Sequence, residues 1–231
     1  MGKNITQQAR GRGGPRYRVR RRAYRFKITY PGLDVEGIAK VVRLFNSPAH
    51  SAPLAKIKIN THEFLVPAAE GLYEGQEIEI GKNPKAIGNI VRLKNIPDGT
   101  RIFNIEIYPG SGGKYLRSAG SFALIGAKTD KIIVLIKKRK IELDENCRAI
   151  IGTAAGHGRL EKPLVKAGKK FHMMLAKGRM WHRTSPVKVN AVDHPFGSGR
   201  GKRIKSKIAK RNAPPGAKVG HIRPRRTGIA K

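Results

Sequence analysis

The chain has 231 residues, with 49 Lys and Arg against 15 Asp and Glu, which gives a formal net charge of +34. A compact domain of this size usually carries a charge of magnitude roughly 2–8, because a larger excess of one sign repels itself unless a polyanion neutralises it. These values exclude an ordinary globular enzyme and make a nucleic acid the leading partner.

The cysteine count and the hydropathy pattern limit the cellular compartments in which the protein is expected. The single cysteine, Cys147, excludes a disulfide framework and an all-cysteine zinc site, and it is typical of a reducing compartment. Residues 1–14 lack the apolar run of about 7–15 residues found in a signal peptide. The longest aliphatic run, residues 132–136, is far shorter than the ~20 residues of a membrane-spanning helix. We expect a cytoplasmic protein with no membrane partner.

The basic charge is concentrated at the two ends of the chain. Residues 1–34 hold 10 basic residues and 1 acidic residue, residues 35–160 hold 19 and 12, and residues 161–231 hold 20 and 2. A segment such as residues 16–22 cannot bury enough apolar surface to offset its ordering entropy, so it orders only on a phosphate lattice. The N-terminal arginines expected to contact RNA are Arg10, Arg12, Arg16, Arg18, Arg20, Arg21 and Arg22.

Short strands are predicted in the middle of the chain. Residues 55–60 and 101–108 carry apolar side chains at every second position, which is typical of half-buried strands. Residues 131–137 are continuously apolar between two lysines, which indicates a strand covered on both faces. Turn-forming Pro-Gly, Asn-Pro and Pro-Asp-Gly sequences separate these runs. The pattern predicts a mainly β fold built from small barrels.

Two five- or six-stranded barrels suit this length better than one large sheet. We predict a basic N-terminal extension over residues 1–34, a first barrel over residues 35–82 and a second barrel over residues 83–160. Residues 161–231 form a basic, largely irregular C-terminal extension. Its best helix candidate is residues 162–178, although Gly168 interrupts the apolar stripe.

A glycine-rich segment, residues 110–114, resembles a phosphate cradle. It is not a P-loop, because Tyr115 follows the lysine and Tyr108 stands where the first glycine is required. Glycine allows backbone N–H groups to approach phosphate closely, and Lys114 and Arg117 supply charge-assisted bonds. We favour phosphate contact here over a flexible hairpin loop.

Two motifs in the C-terminal extension have competing interpretations. Trp181 lies among basic residues that include Arg179 and Arg183, and it either stacks on an unpaired base, worth roughly 1–3 kcal/mol, or packs against the second barrel. Asp193 followed by His194 suggests a general base, but sequence neighbours rarely face each other and no nucleophile is nearby. We favour a turn histidine bonded to RNA or backbone.

The last part of the chain mixes glycine with basic residues and lacks apolar periodicity, which is typical of a tail that follows an RNA backbone. The tail residues expected to contact RNA are Arg200, Lys202, Arg203, Lys205, Lys207, Lys210, Arg211, Arg225 and Arg226.

Several motifs occur in the order found in one known family. They are Asn-Ile-Pro-Asp-Gly-Thr at 95–100, Pro-Gly-Ser-Gly-Gly-Lys at 109–114, Arg-Ser-Ala-Gly at 117–120, Cys-Arg-Ala-Ile-Ile-Gly at 147–152 and Asn-Ala-Val-Asp-His-Pro at 190–195. From about residue 23 to residue 226, the chain resembles the second protein of the large ribosomal subunit, a universal family.

The resemblance implies an oligonucleotide-binding-type (OB) barrel followed by an SH3-like barrel, with both extensions threading into ribosomal RNA. It further implies a primary rRNA binder near the peptidyl-transferase region that supports subunit association, tRNA binding and translation. The matching motifs add Ser118, Arg148, Asn190, Asp193 and His194 to the expected RNA contacts. A catalytic role once proposed for the family's histidine falls at His194, and the residues around it in the sequence do not support that role.

Some residues depart from the family pattern, and one of these departures indicates a branch of the family. The family's Arg-Gly falls at residues 185–186 as Ser-Pro, the usual Ala-Met at residues 188–189 is Lys-Val, and Ser198 breaks a triple glycine. Phe196 stands where the bacterial pattern has a second histidine, which resembles the archaeal and eukaryotic branch. The length of 231 residues favours the archaeal form.

The resemblance also sets the expected partners. They are large-subunit rRNA, other large-subunit proteins and small-subunit rRNA at an intersubunit bridge, with no homo-oligomer. We expect no cofactor and no protein-owned metal site, only Mg²⁺ that accompanies the RNA. Two other classes remain as alternatives: an RNA-acting enzyme that uses His194, and a DNA-packaging protein, which the charge alone permits.

Overall fold

A computed structural model of the chain describes residues 4–81, 83–128, 131–199 and 208–223. The chain divides into two compact units, one formed by Arg21–Lys166 and the other by Met1–Arg20 together with Ala167–Lys231. The first unit contains both barrels, and the second combines residues from the two extensions.

The barrel unit contains ten strands. They are β1 Gly37–Phe45, β2 Leu54–Ile59, β3 His62–Pro67, β4 Glu77–Gly81, β5 Ile90–Arg92, β6 Arg101–Phe103, β7 Ala123–Lys128, β8 Ile132–Ile136, β9 Arg139–Leu143 and β10 Arg148–Ile151. They are hydrogen-bonded in the order β3-β2-β1-β4-β5-β10-β6-β7-β8-β9. Every neighbouring pair is antiparallel except β4 and β5, which run parallel where the first barrel passes into the second.

The ten strands enclose two hydrophobic cores. The first core is built mainly from β1 to β4, with Val41, Ile57 and Ile78 buried in it. The second lies among β5 to β10 around Ile102 and Val134. The fold is therefore mainly β, an OB-type barrel followed by an SH3-like barrel, as predicted.

Most of the predicted strands are confirmed. In β2, Leu54, Ala55, Ile57 and Ile59 are buried, while Lys58 points to solvent, as the alternation requires. The strand β4, Glu77–Gly81, lies at the predicted end of the first barrel. Residues 132–136 do form β8, but the expectation of a strand covered on both faces is wrong, because only Ile132 and Val134 are fully buried.

The strand predicted over residues 101–108 ends early. It stops at Phe103, because Asn104 has φ +52° and turns the chain out of the extended conformation. The next two residues, Ile105 and Glu106, are nevertheless fully buried. The alternation of apolar residues there indicates burial but not a continuous strand.

In its described residues, the tail unit has little regular structure. The helix predicted over residues 162–178 is confirmed in a shorter form, α1 Ala167–Ala176, none of whose residues is fully buried. Two short strands, β11 Ile208–Ala209 and β12 His221–Ile222, pair in parallel. Among the residues that the structure describes, no helix has the length and hydropathy needed to span a membrane.

A buried ion pair joins three parts of the barrel unit. Glu106 is 0% exposed, and its carboxylate accepts bonds from Arg148 Nη2 at 3.0 Å and from the Gly112 N–H at 3.0 Å. The Arg148 Nη1 group donates to the Gly32 carbonyl at 3.1 Å, and the guanidinium lies 5.2 Å from the Tyr30 ring centroid. The pair thus holds β10, the glycine-rich loop and the segment before β1 together.

The prediction that Arg148 contacts RNA is wrong. Its side chain is 5% exposed, and Glu106 and Gly32 engage its guanidinium inside the protein. A guanidinium buried in this way is not available to a phosphate, since releasing it would leave the Glu106 carboxylate uncompensated.

The two barrels are also joined by direct backbone and side-chain hydrogen bonds. Ala69 and Ala154 form an isolated antiparallel bridge between them. Beside this bridge, the Glu70 N–H donates to the Thr153 carbonyl at 2.9 Å, and the Thr153 hydroxyl donates to the Glu70 carboxylate at 2.7 Å. Ala69 and Ala154 also belong to the first hydrophobic core.

We predict that Arg148→Met lowers the free energy of unfolding by about 3–5 kcal/mol, because Glu106 is then buried without its cation. Urea denaturation of the full chain at fixed salt measures this loss. Arg92→Met is the matched control, since its pair with Glu36 is 34% and 41% exposed and is worth about 1 kcal/mol or less. Adding Glu106→Gln to Arg148→Met recovers part of the loss by removing the unpaired charge. Equal losses for Arg148→Met and Arg92→Met would contradict the assignment.

We also predict that Gly112→Ala destabilises the protein more than Gly99→Ala does. Both glycines have positive φ, +70° and +75°, so both alanines carry the conformational cost of about 1–2 kcal/mol. Only at Gly112 does the new Cβ meet packed atoms, 2.7 Å from the Thr29 hydroxyl oxygen, which adds about 1–3 kcal/mol of overpacking. Thermal denaturation compares the two variants, and indistinguishable losses would show that the loop is free to move away.

Candidate nucleic-acid interface

The two units differ sharply in charge. Residues 1–20 and 167–231 hold 24 Lys and Arg with a single acidic residue, Asp193, whereas residues 21–166 hold 25 basic and 14 acidic residues. The barrel unit can therefore neutralise much of its own charge, and the tail unit cannot. The tail unit therefore offers a polyanion the larger amount of unneutralised positive charge.

The arginines of the N-terminal extension are all exposed. Arg10, Arg12, Arg16, Arg18 and Arg20 belong to the tail unit, in and around two short 3₁₀ turns, while Arg21 and Arg22 begin the barrel unit. Exposed guanidiniums on short turns can each reach a phosphate with several N–H donors.

Contacts within the tail unit fix where these turns lie. The Tyr17 hydroxyl donates to the Thr6 carbonyl at 3.0 Å and lies 3.4 Å from the Met180 sulfur. Gly178 approaches the same segment so closely that a Cβ there would lie 2.9 Å from the Tyr17 carbonyl oxygen. The sequence did not indicate that the two extensions pack together, because the contacts join residues more than 150 positions apart.

The glycine-rich loop does not form the expected phosphate cradle. Its Gly112 N–H donates to Glu106, its Ser111 N–H to the Tyr108 carbonyl and its Lys114 N–H to the Ile105 carbonyl. The glycines allow the loop to pack closely on Thr29 and the buried ion pair. Backbone recognition of phosphate by these three N–H groups is therefore excluded in this conformation.

Side chains that flank the loop remain available. Lys114 and Ser118 are exposed and Arg117 is half-buried. Burial, and next the positive charge of Arg117, lower the pKa of His50. Phosphate contact by Lys114 and Arg117 remains a prediction that now rests on the side chains alone.

His194 lies in a tight loop and makes local bonds. Its Nδ1 accepts the Phe196 N–H at 3.1 Å, and the Asn190 carbonyl accepts its backbone N–H at 3.2 Å. Burial lowers the pKa of His194, so the imidazole is neutral at pH 7. Because Nδ1 accepts a backbone N–H, it does not hold the proton that a carboxylate would orient in an acid–base pair.

The serine that breaks the family's triple glycine has a structural role in the same loop. Ser198 has φ +57°, and its hydroxyl oxygen accepts the Ala191 N–H at 2.8 Å. This bond joins the two ends of the loop that contains His194. It leaves the Asn190 and Asp193 side chains exposed on the loop surface.

Trp181 is half-buried in the tail unit, with Lys170 Nζ 5.4 Å from its ring centroid. This cation–π contact was not predicted, because the two residues are not at a spacing that implies contact. Arg179 and Arg183 on either side are exposed. Stacking of Trp181 on a base remains a prediction.

Several predicted contacts lie outside the described residues, namely Arg200, Lys202, Arg203, Lys205, Lys207, Arg225 and Arg226. Of the remaining tail residues, Lys210 and Arg211 are exposed, and Arg211 donates to the Arg223 carbonyl at 3.4 Å.

One basic cluster was not predicted. Lys137 and Lys138 form the turn between β8 and β9, Arg139 and Lys140 begin β9, and all four side chains are exposed. The signal was present in the sequence, since four consecutive basic residues directly follow an apolar strand. A turn of this kind projects its charges away from the barrel, where RNA can reach them.

A reactive thiol or a cluster of metal-binding side chains would indicate a nucleophile or a metal centre in the described part of the chain. Cys147 is buried, and burial, followed by the charges of Glu106 and Asp144, raises its pKa to about 11, so the thiol stays protonated. Among the described residues, no three His, Cys, Asp or Glu side chains converge on a position for a metal ion.

Comparison with known proteins agrees with this arrangement. A family model described as "Ribosomal Proteins L2, C-terminal domain" matches residues 86–216. Large ribosomal subunit protein uL2 of Archaeoglobus fulgidus is 44% identical, with all of both chains covered. The proteins of the same name from Metallosphaera sedula and Sulfurisphaera tokodaii are 42% and 45% identical, covering 99% of this chain and 98% of theirs. The chain therefore belongs to the family of large ribosomal subunit protein uL2, in its archaeal form.

Proposed function

We propose that this chain is a primary rRNA-binding protein of the large ribosomal subunit that lies near the peptidyl-transferase region and supports subunit association, tRNA binding and translation. Its relatives carry the name of a large-subunit protein, which supports a structural role in a particle made of rRNA and other ribosomal proteins.

The observation that carries the proposal is the exposed basic charge. One unit holds 24 basic residues against one acidic residue, and the arginines of its described turns are exposed. Binding of each such cation to a phosphate releases counterions from the RNA, which drives association at low salt. Two barrels with long extensions suit irregular, folded RNA better than duplex DNA.

We further propose that the protein performs no catalysis. Its candidate base, His194, accepts a backbone N–H at Nδ1, and its one thiol is buried and protonated. Mg²⁺ at the interface would accompany the RNA. The protein would act in the cytoplasm as one copy per subunit, and a contact with small-subunit rRNA across an intersubunit bridge belongs to the same proposal.

The assignment of parts follows the sequence prediction. Residues 35–82 and 83–160 form the two barrels, and residues 1–34 and 161–231 provide the extensions that follow the RNA. In this proposal the barrels set the position of the protein on the RNA, and the extensions neutralise phosphates over a larger area.

We predict that replacing Lys114 and Arg117 together by Gln weakens binding to large-subunit rRNA and flattens its salt dependence. The slope of log affinity against log salt falls in magnitude by about 0.7–0.9 for each phosphate that the variant no longer binds. Filter binding or fluorescence anisotropy across a salt series measures both quantities.

Arg92→Gln is the control, because it removes a cation already paired with Glu36 at 2.9 Å. An equal change in slope for the control would show that the effect comes from the total charge of the protein and not from a specific contact. An unchanged slope for the double variant would show that Lys114 and Arg117 do not bind phosphate. Tighter binding to duplex DNA than to rRNA of equal length would support the DNA-packaging alternative.

A further inference from the structure

A cavity of about 570 Å³ opens on the outer side of the first barrel. It lies over the outward face of β1, β2 and β3, where Arg43 is paired with Lys56 and Lys56 with Leu65 in the strand register. The volume falls in the range of about 300–1,000 Å³ that is typical of ligand pockets. None of the contacts described above uses this surface.

Aromatic and aliphatic side chains form the walls. Phe45 from β1 and Phe26 from the segment before β1 meet with ring centroids 4.8 Å apart and planes inclined by 64°, and Leu65 from β3 is also half-buried. The outward face of a barrel strand is ordinarily polar, so two phenylalanines there need a physical reason. The segment that carries Phe26 is fixed by the Thr29 N–H, which donates to the Leu65 carbonyl at 3.1 Å.

Charged groups surround the apolar walls. Lys56 pairs with Glu63 at 2.7 Å, and this bond lowers the pKa of the Glu63 carboxyl and keeps it ionised. In the described part of the chain Arg43 has no ion-pair partner, and Arg25 lies 5.9 Å from the Phe26 ring centroid. The pocket therefore offers flat apolar surfaces, hydrogen-bonding groups on Glu63 and Asn46, and an excess of cations.

The geometry points to a site for one unpaired RNA nucleotide, whose base stacks on Phe45 or Phe26 and whose phosphate binds Arg43. Proteins recognise unpaired RNA bases by stacking them on aromatic side chains, and the strand 2–3 face of OB folds is a common place for this. The excess of cations complements a nucleotide better than it does an apolar protein segment. This inference rests on the proposed rRNA binding and adds a specific site to it.

Phe45→Leu tests the site in the full-length protein bound to archaeal large-subunit rRNA. It keeps an apolar side chain but removes the flat ring. Affinity falls by about fivefold or more, as expected for loss of one stacked base, while the salt slope stays unchanged because every phosphate remains bound. Chemical probing shows one unpaired nucleotide that is protected by the unmodified protein and becomes reactive with Phe45→Leu.

Phe122→Leu is the matched control, since Phe122 is 38% exposed on the second barrel, under Arg101 at 5.0 Å. This variant leaves the protected nucleotide unreactive. Phe45→Trp retains an aromatic face and keeps the protection, which separates stacking from damage to the fold. Ultraviolet crosslinking of the unmodified protein attaches that nucleotide to residues 24–27 or 43–46, without any substitution.

Failure of the nucleotide site and failure of the proposed function give different results. If the unmodified protein binds rRNA selectively but Phe45→Leu changes neither affinity nor any footprint, the nucleotide site is wrong and the proposed function stands. Crosslinks from residues 43–46 to another ribosomal protein would assign the pocket to a protein partner and overturn the inference. If the unmodified protein shows no preference for rRNA, the proposed function itself fails.

Discussion

The carboxylate of Glu106 is the point on which the barrel unit depends. It is completely buried, and it accepts bonds from the Arg148 guanidinium, the Arg148 backbone and the Gly112 N–H. Through Arg148 it also holds the Gly32 carbonyl. One neutralised charge pair thereby joins the second barrel, the glycine-rich loop and the chain that enters the first barrel. Loss of either partner would leave the other charge buried and unpaired, so breaking the pair costs much of the free energy of folding.

This arrangement explains how so basic a chain can contain a well-defined folded body. The barrel unit has 14 acidic residues, and some of them pair locally, as Glu63 does with Lys56 and Glu36 with Arg92. The tail unit has one acidic residue for 24 basic ones, so its own carboxylates cannot neutralise that charge. In the proposed function, the RNA supplies the missing negative charge, and binding then weakens steeply as salt rises.

Local patterns could be predicted from the sequence, and long-range contacts could not. Alternation located β2, and an irregular apolar stripe located α1, because those signals depend on neighbouring residues. The prediction for Arg148 was wrong because its partner Glu106 is 42 residues away and one arginine among many carries no local mark of burial. The contact of Phe26 with Phe45 likewise depends on how the entering chain folds back on the barrel. The exposed basic cluster at residues 137–140, by contrast, could have been predicted from its four consecutive basic residues.

The most direct test of rRNA binding by the basic segments is ultraviolet crosslinking in native cells, with sequencing of the attached nucleic acids and mapping of the crosslinked peptides. We expect reads concentrated in large-subunit rRNA, with crosslinks in the exposed basic segments at residues 10–22, 114–118 and 179–194 and none at the buried Arg148. Reads spread over messenger RNA or genomic DNA, or crosslinks absent from those segments, would contradict this expectation.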